Sequence, residues 1–297
     1  MINKSGNEEY SYWVRFASSA AIFAAFSMIL VKGYAWLNTD SASILASLTD
    51  SVFDIAASVV NFFAVRYALT PADDDHRFGH GKAESLAGLF QSAFITGSAL
   101  LLIFHSVGQL SHPNHVENIS VGLAAIYFSI FITLLLVVVQ TYALKRTSSI
   151  AIKADSLHYK GDLLMNVGVL VALYLTQLGY ASIDSWIAIC IAGYLFYGAY
   201  LVGKESVQSL MDKELPSEDE QKIIHIAKNI PLVKGVHDIR TRQSGGTVFI
   251  QMHLELDDNL ILLDAHDVSD NVEAALEDAY PYSDILIHLD PVSVVRK

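Results

Sequence analysis

Two pairs of metal-capable side chains stand inside long apolar stretches of this chain at helical spacing. Asp50 and Asp54 lie in Ser43-Ile-Leu-Ala-Ser-Leu-Thr-Asp50-Ser-Val-Phe-Asp54, and His158 and Asp162 in Ala154-Asp-Ser-Leu-His158-Tyr-Lys-Gly-Asp162. Residues i and i+4 share one face of an α-helix, so each pair points in one direction. A carboxylate at mid-membrane costs about 2.5–3.5 kcal/mol on insertion scales, and an ionisable group kept at that depth reads as functional by default. Three carboxylates and one imidazole can close a tetrahedral cage around a divalent cation such as zinc. A dication arriving at such ligands expels their protons, so the chemistry indicated is metal/proton exchange. The competing reading is two unrelated polar pairs bonding between helices; matched spacing on two separate segments argues against it.

Two further groups carry the same donor types. In Pro71-Ala-Asp73-Asp-Asp-His76-Arg-Phe-Gly-His80-Gly-Lys82, the side chains of Asp73, His76 and His80 converge if the loop turns, and its two glycines allow that. Asp74 or Asp75 could substitute, and the bland alternative is a solvated acidic turn. The C-terminal part holds five histidines. His237 opens one expected strand, and His253 lies on the next beside Gln251 and Glu255. His266 falls on a helix, and His288 and Asp290 are i, i+2 neighbours on one side of a last strand. An aspartate can bridge two metals, so His237, His253, His266, His288 and Asp290 define a candidate binuclear site. His225 has no evident partners. His105, His112 and His115 flank a loop between apolar segments and read as solvent-exposed. Cys190, the single cysteine, lies in an apolar run, has no intrachain partner and reads as packing.

The elements that must position these groups are membrane helices. The chain has 297 residues, 53% hydrophobic and 17% charged, against about 25% charged in an average soluble domain. Six apolar segments, near 13–37, 42–68, 84–108, 120–144, 153–177 and 182–209, each approach the 20 or so residues that span a bilayer. The fifth is polar in its first third. The N-terminal ten residues are polar and lack the basic region of a cleavable signal, so the first segment is expected to remain as a helix. The loops near 38–41, 109–119 and 178–181 hold no Lys or Arg, whereas Arg66, Arg77, Lys82, Lys145, Arg146, Lys153 and Lys204 flank the other ends. The positive-inside rule then places both termini in the cytoplasm.

Residues 1–210 are expected to form this six-helix membrane domain, and residues 211–297 a soluble tail. The tail holds 17 of the 31 acids against 8 of the 19 basic residues, most of the chain's net charge of −12. An acidic surface argues against nucleic acid as a partner and favours cations. Pro216-Ser217-Glu-Asp-Glu220 predicts a helix start with a capping box. Strands are expected over 235–242 and 247–257, joined by Ser244-Gly-Gly246. Val248, Ile250, Met252, Leu254 and Leu256 alternate and mark the buried face. A helix near 262–280 and a strand over 284–289 complete an αββαβ order. At this size the core is small, and metal or self-association commonly adds stability.

These motifs resemble those of the cation diffusion facilitator family. The resemblance rests on the Ser43–Asp54 and Pro71–Ser85 stretches, on Ala154-Asp-Ser-Leu-His-Tyr159 and on Ile287-His-Leu-Asp-Pro291, and covers nearly the whole chain. It implies a homodimer in a bacterial inner membrane, with six transmembrane helices per protomer and a cytoplasmic metallochaperone-like domain. It assigns Asp50, Asp54, His158 and Asp162 to a transport site between the second and fifth helices. It assigns Asp73, His76 and His80 to a loop site, and the four tail histidines with Asp290 to a binuclear site supporting the paired tails. It implies a Lys82–Asp212 charge interlock and a hydrophobic gate at Leu157. The departure is Leu289, where the family pattern leads one to expect Gln; leucine cannot coordinate.

The function expected is export of zinc, with cadmium or ferrous iron as further cargo, in exchange for protons. Two other classes compete. A membrane-anchored metal sensor would bind zinc without flux. A membrane metalloenzyme would want an open metal position and a base, and no His-Glu-x-x-His or Gly-x-Ser-x-Gly motif occurs.

Overall fold

The computed structural model describes residues 4–39, 42–111, 120–178 and 183–295; His112 and His115 lie outside these. The helices α1 (Lys4–Thr39), α2 (Ala42–Ala68), α3 (Lys82–Ser111), α4 (Ser120–Thr147), α5 (Ile150–Gln177) and α6 (Ile183–Leu210) follow the six apolar segments. Five of them contain stretches long and apolar enough to cross a membrane: Glu8–Asn38, Ser47–Ala68, Lys82–Leu110, Ala124–Thr147 and Ile183–Leu210. The helix left out is α5, which is as long as α4 but carries Lys153, Asp155, His158, Lys160 and Asp162 in its first half. In that polar half Asp155 accepts from Gln140 on α4, and Leu157 packs with Ile95 on α3 and with Ala199 and Val202 on α6. Burying charge inside the bundle is how a membrane domain keeps it from lipid.

The outer surface is correspondingly apolar, with Phe23, Leu101 and Phe104 each more than 70% exposed. Between the helices sit small and polar side chains, Ser18, Ser51, Ser58, Asn61 and Gln140 among them, all buried. Small residues let membrane helices approach closely, and hydroxyls and amides bond across the contact. Tyr159, fully buried on α5, meets Ser58 of α2 at 2.7 Å.

The tail has α7 (Ser217–Lys228), β1 (Gly235–Ser244), β2 (Thr247–Leu256), α8 (Leu262–Ala279) and β3 (Ser283–Pro291), then a single turn α9 (Val292–Val295). Strand order is β1-β2-β3, with β1 antiparallel and β3 parallel to the central β2. The expected αββαβ order is therefore present. The capping box is not formed: Pro216 takes the N-cap and no side chain caps the helix. Three acids in the first turn of α7 meet the positive end of the helix dipole instead. Ile250, Met252 and Leu254 pack with Ile223, Ala227, Val272 and Leu276 in the tail core.

The tip of the β1–β2 hairpin docks on the loop between α2 and α3. A Cβ at Gly81 would lie 2.5 Å from the Ser244 carbonyl oxygen, so glycine permits the approach. Beside it, Arg242 lies over the rings of Phe249 and Phe78, at 4.2 and 5.0 Å, and pairs with Asp212 at 3.1 Å. Lys82 pairs with the other Asp212 oxygen at 3.0 Å. The two residues of the expected interlock therefore meet, with Arg242 as a third member. Burial pushes the Asp212 carboxyl up, but Lys82 and Arg242 outweigh it and hold the group below the usual carboxylate range. Because the Gly81 contact is backbone to backbone, Gly81→Ala is expected to loosen the docked tail. Overpacking of this kind costs about 1–3 kcal/mol, seen as a lower melting temperature and faster cleavage in the 211–216 linker. Unchanged melting and cleavage would count against the docking contact.

Candidate metal centres

Within the helical bundle, Asp54 on α2 meets His158 and Asp162 on α5. His158 Nε2 lies 3.1 Å from Asp54 Oδ1 and 3.7 Å from Asp162 Oδ2. One ligand atom from each of the three lies within 4.8 Å of the other two. Side-chain exposures of 15% for Asp54, 11% for His158 and 31% for Asp162 describe a sheltered site with one accessible edge. Asp162 Oδ2 accepts no hydrogen bond, so its lone pairs are available to a cation. Tetrahedral zinc places ligands about 2.0–2.2 Å from the metal, and a modest contraction of this triad would reach that. Asp50, the fourth expected ligand, is exposed and stands outside the triad, one helical turn before Asp54.

The α2–α3 loop does turn. Gly79 adopts φ +77°, a left-handed conformation that glycine accepts without strain. Asp73 Oδ1 receives the N–H groups of Asp75 and His76 at 3.0 and 2.6 Å. Its second oxygen lies 3.2 Å from His80 Nε2, and His76 Nδ1 is 3.3 Å from the first. The hydrogen bond from the His76 N–H, aided by that of Asp75 and by both imidazoles, holds the Asp73 carboxyl below its usual range. The His80 side chain is only 3% exposed, and its Nδ1 faces the Thr70 carbonyl at 3.4 Å. Such an outer partner fixes ring orientation and turns Nε2 toward a metal. The three expected loop residues are thus brought together.

In the tail, strand register lines up a row of histidines. His237 pairs with His253, and His253 with His288, across the three strands. One step along, Glu255 pairs with Asp290 on the same face. Asp290 Oδ2 lies 2.7 Å from His253 Nδ1 and 3.4 Å from His237 Nε2, while Oδ1 is 3.3 Å from His288 Nε2. One carboxylate oxygen therefore addresses His253 and His237 and the other His288, the arrangement of a bridging ligand. The His253 hydrogen bond is the main reason the Asp290 carboxyl sits below its usual range. Glu255, noted in the sequence but not assigned, stands 3.3 Å from His237 Nδ1. Asp238 also joins His237 and His253 as a potential donor, at φ +47° beside an irregularity in the β1–β2 ladder.

His266 does not join this row. It lies on α8, 67% exposed and 3.5 Å from Asp270, and lines a hollow with Leu262, Leu263, Ser269, Ile287 and Leu289. Leu289 packs on the tail core, the side of β3 opposite His288 and Asp290. A Gln at 289 would face that hollow and His266 rather than the histidine row. His105 is exposed, and Leu157 packs with Ile95, Ala199 and Val202.

Three polar groups near these sites carry no assignment from the sequence: Asp155 and Glu84 are buried and stand inside the quoted motifs, and Lys32 is half-buried in the first apolar segment. Asp155 is fully buried and accepts from Gln140 at 2.7 Å. Glu84 accepts from Tyr10 at 2.9 Å and from Ser149. Lys32 on α1 donates to α2. An isolated Lys within an apolar segment was the available signal.

A helical membrane domain joined to a small α+β domain, with clustered Asp and His in both, defines a metal-handling membrane protein. Residues 18–211 match the cation efflux transmembrane domain, and residues 215–292 match the cytoplasmic domain of cation efflux proteins. The chain belongs to the cation efflux family. It is 49% identical over 286 residues to the cation-efflux pump FieF of Shewanella oneidensis, covering 96% of this chain and 97% of that protein. It is 48% identical over 291 residues to the cation-efflux pump FieF of Salmonella choleraesuis, covering 98% and 97%. Among solved structures, the zinc form of the putative zinc transporter CzrB is 30% identical, covers 28% of this chain and 94% of that one, and has a TM-score of 0.27.

Proposed function

We propose that this protein is a zinc/proton antiporter that exports divalent cations from the cytoplasm by alternating access. It would act as a homodimer in a bacterial inner membrane with both termini cytoplasmic. The observation that supports this best is the Asp54–His158–Asp162 triad inside the bundle. Its donors come from two helices that share a short contact, so a bound cation would add a strong link between α2 and α5. Asp50 would join as the fourth ligand when α2 is drawn in. Protons and cation compete for the same lone pairs, which couples their movements. Carriers of this kind hold their ion near the midplane and rock helices around it.

The loop residues Asp73, His76 and His80 would form a second zinc site beside the hairpin contact. Residues 211–297 would form the dimerisation domain, with zinc held by His237, His253, His288 and Asp290. His266 faces away from that row within its own chain, so its share in a tail site requires a second copy. The exposed Leu262 and Leu263 beside it provide an apolar contact for that copy.

Zinc flux in proteoliposomes under an imposed proton gradient tests this reading. Gradient-driven zinc movement is expected. Tight zinc binding without flux would replace the transporter with the membrane-anchored sensor.

A further inference from the structure

Lys32 has no role in the exchange described above, yet its ammonium is bonded to the segment of α2 that bears Asp50 and Asp54. It lies in the first apolar span, Glu8–Asn38, and is half-buried. Its ammonium donates to Ser51 Oγ at 2.8 Å and to the Ser47 carbonyl at 3.2 Å, both on α2. Ser51 is fully buried and sits between Asp50 and Asp54 in the chain. The ammonium is thus tethered at the level of the acidic pair without a carboxylate within 4.0 Å among the described residues. Asp54, three residues beyond Ser51 on the same helix, meets His158 and Asp162.

A lysine in an apolar span is costly, and the bland account is that it ties α1 to α2. A neutral hydrogen-bonding side chain would do that at lower cost. The charge adds something that the tether does not. With three carboxylates and a neutral imidazole, the site would attract a dication strongly and part with it slowly. A resident positive charge repels the incoming cation and offsets the carboxylates' mutual repulsion when the site is empty. Passage through a binding site needs affinity high enough to load and low enough to leave.

We propose that Lys32 is an affinity-setting residue of the transport site, a tethered counter-charge that weakens metal binding so that the cation can be released. This inference rests on the reading of the triad as the site that carries metal. It assigns Lys32 a role acting through Asp50, Asp54 and Asp162 rather than as a ligand.

The test is equilibrium zinc binding to the full-length protein in detergent, with the loop and tail clusters disabled by His76→Ala and Asp290→Ala in every sample. Lys32→Met is expected to tighten the Asp54-dependent Kd on the order of tenfold, from the Coulomb interaction of charges several ångströms apart at an effective dielectric near 20. In matched proteoliposomes it should lower maximal flux while lowering the half-saturating zinc concentration. Lys32→Arg should restore the wild-type Kd, because the charge returns. Ser51→Ala, which removes one acceptor and keeps the charge, should leave the Kd near wild type. An unchanged or weaker Kd in Lys32→Met would overturn the inference, as would a Ser51→Ala variant that reproduces the Lys32→Met shift. If the protein with Lys32 intact shows no Asp54-dependent zinc binding, the reading of the triad itself falls, and this inference with it.

Discussion

Asp54→Asn is expected to lower zinc flux by more than about 100-fold while leaving the protein folded in the membrane. The substitution keeps shape and removes one charge from the triad. Loss of an outer partner alone costs 10–100-fold in metal affinity, and a direct ligand should cost more. Asp54 is the sharper choice than Asp162, because it is the α2 member of the triad, 3.1 Å from His158. Removing it severs the proposed link between two helices as well as one coordination bond. Stopped-flow flux with a zinc-sensitive dye reports the loss, and gel filtration in detergent reports folding. Flux at the wild-type rate in a folded Asp54→Asn protein would sink the assignment of the triad to transport.

Asp290→Asn is the second substitution with a large expected effect, and it separates the tail from the bundle. Both oxygens of Asp290 face histidines, at 2.7 Å to His253 and 3.3 Å to His288. One replacement therefore strikes both halves of the proposed binuclear site, where any single histidine would strike one. Zinc retained per chain after desalting should fall, and zinc-dependent self-association of the tail should weaken about tenfold or more. Flux through the bundle should persist in part, since the triad is untouched. Zinc retention equal to wild type would show that Asp290 holds no metal.

How far the sequence alone reached depends on how local each feature is. The pairs Asp50/Asp54 and His158/Asp162 are legible as one-faced because spacing of four on an apolar segment has one meaning on a helix, but that spacing does not say that Asp50 stands outside the group formed by the other three. The pairing of α2 with α5 carries no local signal; it came from the family resemblance, and the bundle displays it. The loop residues were legible for a similar reason: Gly79 and Gly81 flank His80 and permit the turn. The capping box expected at Ser217 does not form, because the signal of Ser followed by Glu does not say which residue stops being helical. Pro216, with its own dihedral preference, took the N-cap.

The tail shows the limit more clearly. Alternation along β2 marks the buried face and so places His253 on the other one, and the i, i+2 spacing of His288 and Asp290 puts both on one side of β3. It could not supply register. Only the pairing of His237 with His253 and of His253 with His288 makes three distant histidines one row. The same register brings Glu255 beside Asp290, and the position of α8 takes His266 away to the hollow beside Leu289. Lys32 is the converse case: its cost in an apolar helix was visible in the sequence, while its nearness to Ser47 and Ser51 was not.

By itself, then, the order of residues determined the helical membrane domain, the acidic α+β tail and the chemical type of each donor. Those follow from hydropathy, periodicity and side-chain chemistry, which act over a few residues. The tertiary structure decided which donors meet: Asp54 with His158 across 104 positions, His253 with Asp290 across 37, and Lys32 with the helix that bears the acids. Such meetings depend on how helices pack and strands register, and those are set by the whole buried surface rather than by any segment of it.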